Sequence, residues 1–103
     1  MMMDMDITLL YFDGCPGWQK AEANLHTALV ALGLPDVPIT RAPIETVEEA
    51  EKVGFIGSPT VLIDGRDPFS EPGRQPGLSC RLYPSEHGMT NAPSVEQLMA
   101  AIG

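Results

Sequence analysis

Basic side chains are scarce in this sequence. Lys and Arg together number 6 against 14 Asp and Glu, a formal net charge of −8. So acidic a chain excludes unassisted binding to nucleic acid or to an anionic membrane, both of which need clustered cations. Long apolar runs are missing as well, since a bilayer span needs roughly 20 residues. The longest run near the start covers residues 7–12, is interrupted by Thr8 and follows Asp4 and Asp6. Without a positive n-region it does not read as a secretory leader, and the cytoplasm is the expected compartment. Cysteine is limited to 2 residues, too few to staple a small scaffold. In a reducing compartment such cysteines are reactive or metal-binding more often than structural. The chain has no Gly-rich phosphate loop, no Ser/His/Asp set, no paired-Cys metal signature and no internal repeat. No cofactor is expected from it.

What remains is an ordinary globular composition. The 103 residues are 44% hydrophobic and 19% charged, which suits a single domain with one core. The 10 Gly and 10 Pro stand between periodic segments, as punctuation does.

Residues 7–12 form a nearly continuous apolar run ended by Asp13 and Gly14, the pattern of a strand buried on both faces. Cys15-Pro16-Gly17-Trp18 follows. Trp18, Ala21, Leu25, Ala28, Leu29 and Leu32 then recur on one helical face, and Gly33 suits a left-handed helix end. A helix is therefore predicted over 16–32 with Cys15 at its N-cap. Residues 37–41 are a weaker strand, placed at a sheet edge because Pro38 lacks an N–H. Thr46 and Glu49 make a capping box for a short helix to Val53, ended by Gly54. Thr60-Val61-Leu62-Ile63 reads as another buried strand. Residues 64–77 form a Pro- and Gly-rich loop of roughly 14 residues, a length at which loops are usually functional or mobile. Residues 78–83 alternate like a strand with one face covered. A second capping box, Ser94 to Gln97, starts a terminal helix with Val95, Leu98, Met99 and Ile102 inward.

The order is β-α-β-α-β-β-α, an α/β domain. Right-handed crossovers predict three parallel strands, with the fourth antiparallel to the third. The expected sheet is four-stranded and mixed, in the spatial order second, first, third, fourth, with helices on both faces.

A strand that delivers Cys15 to a helix start, followed later by Gly57-Ser58-Pro59-Thr60 ahead of a buried strand, resembles the thioredoxin-like superfamily. The size resembles its minimal, glutaredoxin-like version, without the extra N-terminal strand and helix. Segments 64–69 and 77–83 also resemble short bacterial thioredoxin-like proteins, some labelled alkylmercury lyase-like. The resemblance implies a cis bond before Pro59, with Cys15 and Pro59 facing each other across adjacent strand ends. It also implies a Ser58 backbone able to pair with an incoming extended peptide or thiol ligand. Trp18, Ser58 and Thr60 are then candidates for contact with substrate. One departure is plain. Trp18 stands where the family's Cys-x-x-Cys motif has its second cysteine, so a resolving thiol one turn along is missing.

Cys15 is the leading nucleophile, because unpaired N–H groups at a helix start favour a thiolate. It is expected to be the more readily alkylated of the two thiols. Cys80 reads as a resolving thiol, a second metal ligand or a core residue. His87 follows Cys80 and is a weaker candidate ligand. His26 and the acids Glu48, Glu49 and Glu51 read as solvated surface, and Asp13 as turn chemistry. Three functions fit. The first is a thiol-dependent oxidoreductase acting through the single cysteine Cys15, beside the Pro59 loop, by exchange or mixed-disulfide formation with a small-molecule thiol or a protein disulfide; the second thiol comes first from outside the chain and only secondarily from Cys80. The second is a mercury–carbon lyase or soft-metal binder using Cys15, Cys80 and Asp13. The third is a redox-inactive binding module. No resting Cys15–Cys80 disulfide is expected. A fourth strand running back toward the site leaves Cys80 about 14 Å short of Cys15 at ordinary strand spacings.

Overall fold

Strand β1 (Ile7–Tyr11) lies at the centre of the fold and is apolar on both sides for a reason. Ile7 and Leu9 enter one core with Ala21, Leu25, Ala28 and Leu29 of helix α1 (Gly17–Ala31). Leu98 of helix α3 (Val95–Ile102) completes that face. Leu10 points the other way, into a second core with Ala50 of helix α2 (Val47–Val53), Ile44 and Phe55. Alternation along β1 thus feeds two helical layers at once. The structure, a computed structural model, describes residues 5–15, 17–69, 73, 75–78, 80–85 and 88–103.

The helices end where the sequence predicts. Thr46 Oγ1 accepts from the Glu49 N–H at 3.1 Å, and the Glu49 carboxylate accepts from the Thr46 N–H at 3.1 Å. Ser94 and Gln97 repeat the exchange at 3.1 and 2.9 Å. Gly33 and Gly54 sit at φ of 75° and 72°, the left-handed region where a Cβ is penalised. The first helix is the exception: it starts at Gly17, so Cys15 lies two residues ahead of it and not at the N-cap expected for it. Pro16 lies outside the described residues, as do Ser79 and His87.

Strand β2 (Ile39–Pro43) pairs parallel to β1, Ile7 opposite Ile39, and occupies the sheet edge as Pro38 predicts. Strand β3 (Thr60–Ile63) corrects the expected topology. It pairs antiparallel to β1, with Leu10 opposite Thr60 and Ile7 opposite Ile63. The reason is length. At seven residues α2 spans roughly 10 Å, less than the roughly 17 Å of a five-residue strand. The chain does not travel back to the start of the sheet, and β3 sets off from the end where β2 stopped.

The fourth strand is corrected as well. Among the described residues the sheet has three strands, ordered β2-β1-β3. The chain near residue 80 adds no strand to that sheet and forms an isolated parallel bridge between Cys80 and Ser58. It then forms a separate hairpin of strands β4 (Tyr83–Ser85) and β5 (Gly88–Thr90). The result is a small α/β domain with a mixed three-stranded sheet and three helices. No helix among the described residues is long and apolar enough to cross a membrane.

The start of α1 is clamped against residue 91. A Cβ added at Gly17 meets the Asn91 carbonyl oxygen at 2.3 Å, closer than any real contact. Nearby, Asn24 Nδ2 donates to the Pro93 carbonyl at 3.0 Å and holds the same loop to α1. Gly17→Ala is therefore expected to lower stability by about 1–3 kcal/mol, since backbone has to move to admit the methyl. Urea unfolding followed by circular dichroism measures it, and an unchanged midpoint would show that the clamp yields freely.

Candidate functional site

Antiparallel pairing of β3 has a direct consequence for the site. Thr60 faces Leu10 near the end of β1, so the residues just before β3 arrive at the sheet end from which the chain proceeds to Cys15. Parallel pairing would have sent them to the opposite end. The Ser58–Pro59 bond is cis, as expected.

Cys15 and Cys80 are joined by a disulfide, with Cα atoms 5.8 Å apart. This overturns the expected separation of about 14 Å. That distance assumed a fourth sheet strand running alongside β3. Instead the segment bypasses the sheet edge and pairs with Ser58, ahead of β3, which brings Cys80 to the end where Cys15 stands. The two cysteines differ in access. Cys15 is 2% exposed, and Cys80 is exposed.

Arg81 holds the segment in place. Its side chain is 0% exposed. Nη1 donates to Asp67 Oδ2 at 2.8 Å and to Thr60 Oγ1 at 3.2 Å, and Nη2 donates to the Phe69 carbonyl. Its guanidinium lies 4.7 Å from the centre of the Tyr83 ring. Its backbone N–H donates to the Ser58 carbonyl at 2.8 Å, and the Tyr83 hydroxyl donates to the Pro59 carbonyl. One buried cation thus ties the 80–83 segment and the 67–69 loop to the residues around Pro59. A buried charge is tolerated when it is paired and hydrogen-bonded, as Nη1 and Nη2 are here.

The candidate substrate contacts take specific places. Ser58 is buried. Its carbonyl is already engaged by Arg81, and its Oγ has no hydrogen-bond partner among the described residues. The backbone expected to receive an incoming peptide therefore receives the chain's own segment. Thr60 is buried too, its hydroxyl donating to the Gly57 carbonyl at 2.7 Å. Trp18 is half-buried, stacked on Tyr11 at 4.4 Å, with Arg41 5.3 Å from its ring centre. Arg41 in turn pairs with Glu22, Nη2 to Oε1 at 2.6 Å. This hydrogen bond pulls the Glu22 carboxyl below its ordinary range.

Asp13 is exposed in the turn between β1 and Cys15, where the Cys15 N–H donates to the Phe12 carbonyl at 3.0 Å. A shallow cleft of about 450 Å³ opens beside it, lined by Tyr11, Phe12, Asp13, Pro43, Ile44 and Glu45. Among the described residues no group of three or more His, Cys, Asp or Glu is arranged to hold a metal ion. Sequence reasoning missed Arg81 and Asp67. Their signal was weak: Asp67 falls in the Pro- and Gly-rich loop over 64–77, and Arg81 in the alternating segment 78–83, with nothing local to pair them.

No family model, curated protein or solved structure matches this chain.

Proposed function

We propose that the chain is a thioredoxin-like thiol–disulfide exchange protein whose exchanging pair is Cys15 and Cys80. The observation that carries this is the meeting of the two cysteines beside the cis Ser58–Pro59 bond, although they are 65 residues apart in sequence. The resolving thiol that Cys-Pro-Gly-Trp lacks comes from the far side of the chain. In the reducing compartment that the composition suggests, such a disulfide is more often catalytic or sensing than structural. Its partner is a small-molecule thiol or a protein disulfide. An external thiolate opens the bond and becomes linked to one cysteine, while the other leaves as a thiolate. A second external thiol then releases the first as a disulfide. The net change is two-electron reduction of the pair and oxidation of two thiols.

The test is equilibration of the wild-type protein in glutathione redox buffers, read by mass. A two-electron transition of a Cys15–Cys80 link, together with turnover in an insulin disulfide reduction assay, is the expected result. A bond that ignores thiols under native conditions would leave only a structural staple.

The same juxtaposition favours a second use, capture of a soft metal ion by the reduced pair. Two sulfurs able to bond to each other are able to share one ion. Titration of the reduced protein with Hg²⁺ or Zn²⁺ is expected to give one ion per chain, lost or strongly weakened in Cys80→Ser. Unchanged affinity in that variant would remove the shared site.

A further inference from the structure

Exchange through a disulfide has a direction, because only one of the two sulfurs receives the incoming thiolate. Which one is set by access and by which cysteine is the better leaving group. Along the segment after residue 79 burial alternates. Cys80, Leu82 and Pro84 are exposed, whereas Arg81 and Tyr83 are buried. The segment is thus an extended strip whose inward side chains are pinned on Thr60, Asp67, Phe69 and Pro59, leaving its outward side free. Cys80 belongs to that outward side. Leu82, the next outward residue, is 51% exposed. Cys15 is enclosed, at 2%.

The leaving-group side agrees. Cys15 stands just ahead of α1, whose first turn carries no acidic residue. The other two helices differ: α2 has Glu48 and Glu49 in its first turn, and α3 has Glu96. The positive end of α1 is therefore not offset by a carboxylate of its own, and it favours a thiolate at Cys15. That stabilisation opposes the penalty of charging a buried sulfur.

We infer that Cys80 is the attacked sulfur and Cys15 the leaving one, the reverse of the roles the sequence suggests. The inference rests on the exchange function proposed above. In the forward step an external thiolate bonds to Cys80 Sγ, the Cys15–Cys80 bond breaks, and its electron pair goes to Cys15 Sγ. In the reverse step the Cys80 thiolate attacks a substrate disulfide and expels one thiolate. Cys15 then attacks Cys80 Sγ, reforms the internal bond and releases the second thiolate. The anchors on Arg81 and Tyr83 keep Cys80 beside Cys15 throughout, so the closing step is intramolecular.

The experiment uses the full wild-type chain. It is reduced with dithiothreitol, freed of reductant, pulsed with N-ethylmaleimide at neutral pH, quenched in acid and mapped by peptide mass spectrometry. Cys80 is expected to be labelled about tenfold or more ahead of Cys15. Equal labelling, or Cys15 first, overturns the assignment. Two variants extend the test with glutathione disulfide. Cys15→Ser is expected to form its mixed disulfide at Cys80 rapidly and Cys80→Ser to form one at Cys15 slowly, and the opposite order overturns the assignment. Native equilibration with glutathione separates the two levels. A pair that exchanges but is labelled first at Cys15 overturns the direction alone, whereas a pair that never exchanges overturns direction and exchange function together.

Discussion

Arg81→Met is expected to lower stability by about 3–5 kcal/mol, the usual effect of removing one partner from a buried ion pair. The guanidinium is fully enclosed and serves Asp67, Thr60 and the Phe69 carbonyl together. Methionine has a similar length and fills much of the space, so the loss is electrostatic and not a cavity. It leaves the Asp67 carboxylate, itself only 16% exposed, without its cation. Urea unfolding is the measurement. With a slope of about 2 kcal/mol per molar, the midpoint falls by about 2 M. Arg81→Lys is expected to recover only part of the loss, because an ammonium lacks the planar fork that reaches several acceptors. Removing Asp67 as well, as Arg81→Met with Asp67→Leu, should return part of the stability, since the uncompensated carboxylate is gone. A drop under about 1 kcal/mol in the single variant would show that water satisfies Asp67 and that Arg81 is no anchor.

Reduction of the disulfide, or Cys80→Ser, is expected to lower stability by about 4 kcal/mol. The link spans 65 residues, and closing a loop of that size restricts the unfolded chain by this amount in the chain-entropy picture. For a domain of about 100 residues the melting temperature falls by roughly 15–30 °C. Thermal unfolding with and without dithiothreitol measures it in one protein. The Arg81 and Cys80 effects are not expected to add, because the residues are adjacent and hold the same segment. A shift of only a few degrees would mean that the reduced chain keeps residues near 15 and 80 together even when unfolded.

Much of the fold was legible because it is written in local patterns. The apolar run of β1 required two covering layers, and it has them. Thr46 with Glu49 and Ser94 with Gln97 marked two helix starts correctly, because a capping box is completed within four residues. Pro38 placed β2 at an edge. The failures were non-local. The direction of β3 depends on how far α2 carries the chain, a property of connection length that apolar periodicity does not encode. The position of Cys80 failed for two reasons. Residues 64–77 have no periodicity and set no register. Between Leu78 and Tyr83 the apolar residues Leu78, Cys80 and Leu82 alternate with polar or amphipathic ones, so the simplest pattern buries that set. The structure buries Arg81 and Tyr83 instead and exposes Cys80 and Leu82, an inversion of phase. An ion-paired cation outweighed the apolar pattern there.

The site was legible in its parts and not in its assembly. Cys15 and Pro59 carried their own signals in a helix start and a proline before a strand. Cys80 was a candidate with three open roles, resolving thiol, metal ligand or core residue, since an isolated cysteine in a short alternating segment has no assigned partner until the chain folds. Arg81 was hidden by its type, because arginine is almost never fully buried unless paired.

The span closed by Cys15 and Cys80 encloses α1, β2, α2 and β3, and leaves β1, the β4–β5 hairpin and α3 outside. Under tension applied at the two ends, the oxidised chain can lengthen only through its outer segments, because the force passes across the sulfur bridge. Breaking that bridge frees about 220 Å of additional contour. The oxidation state of one bond therefore sets how far this small domain can be drawn out, and the same thiol that opens it also releases its length.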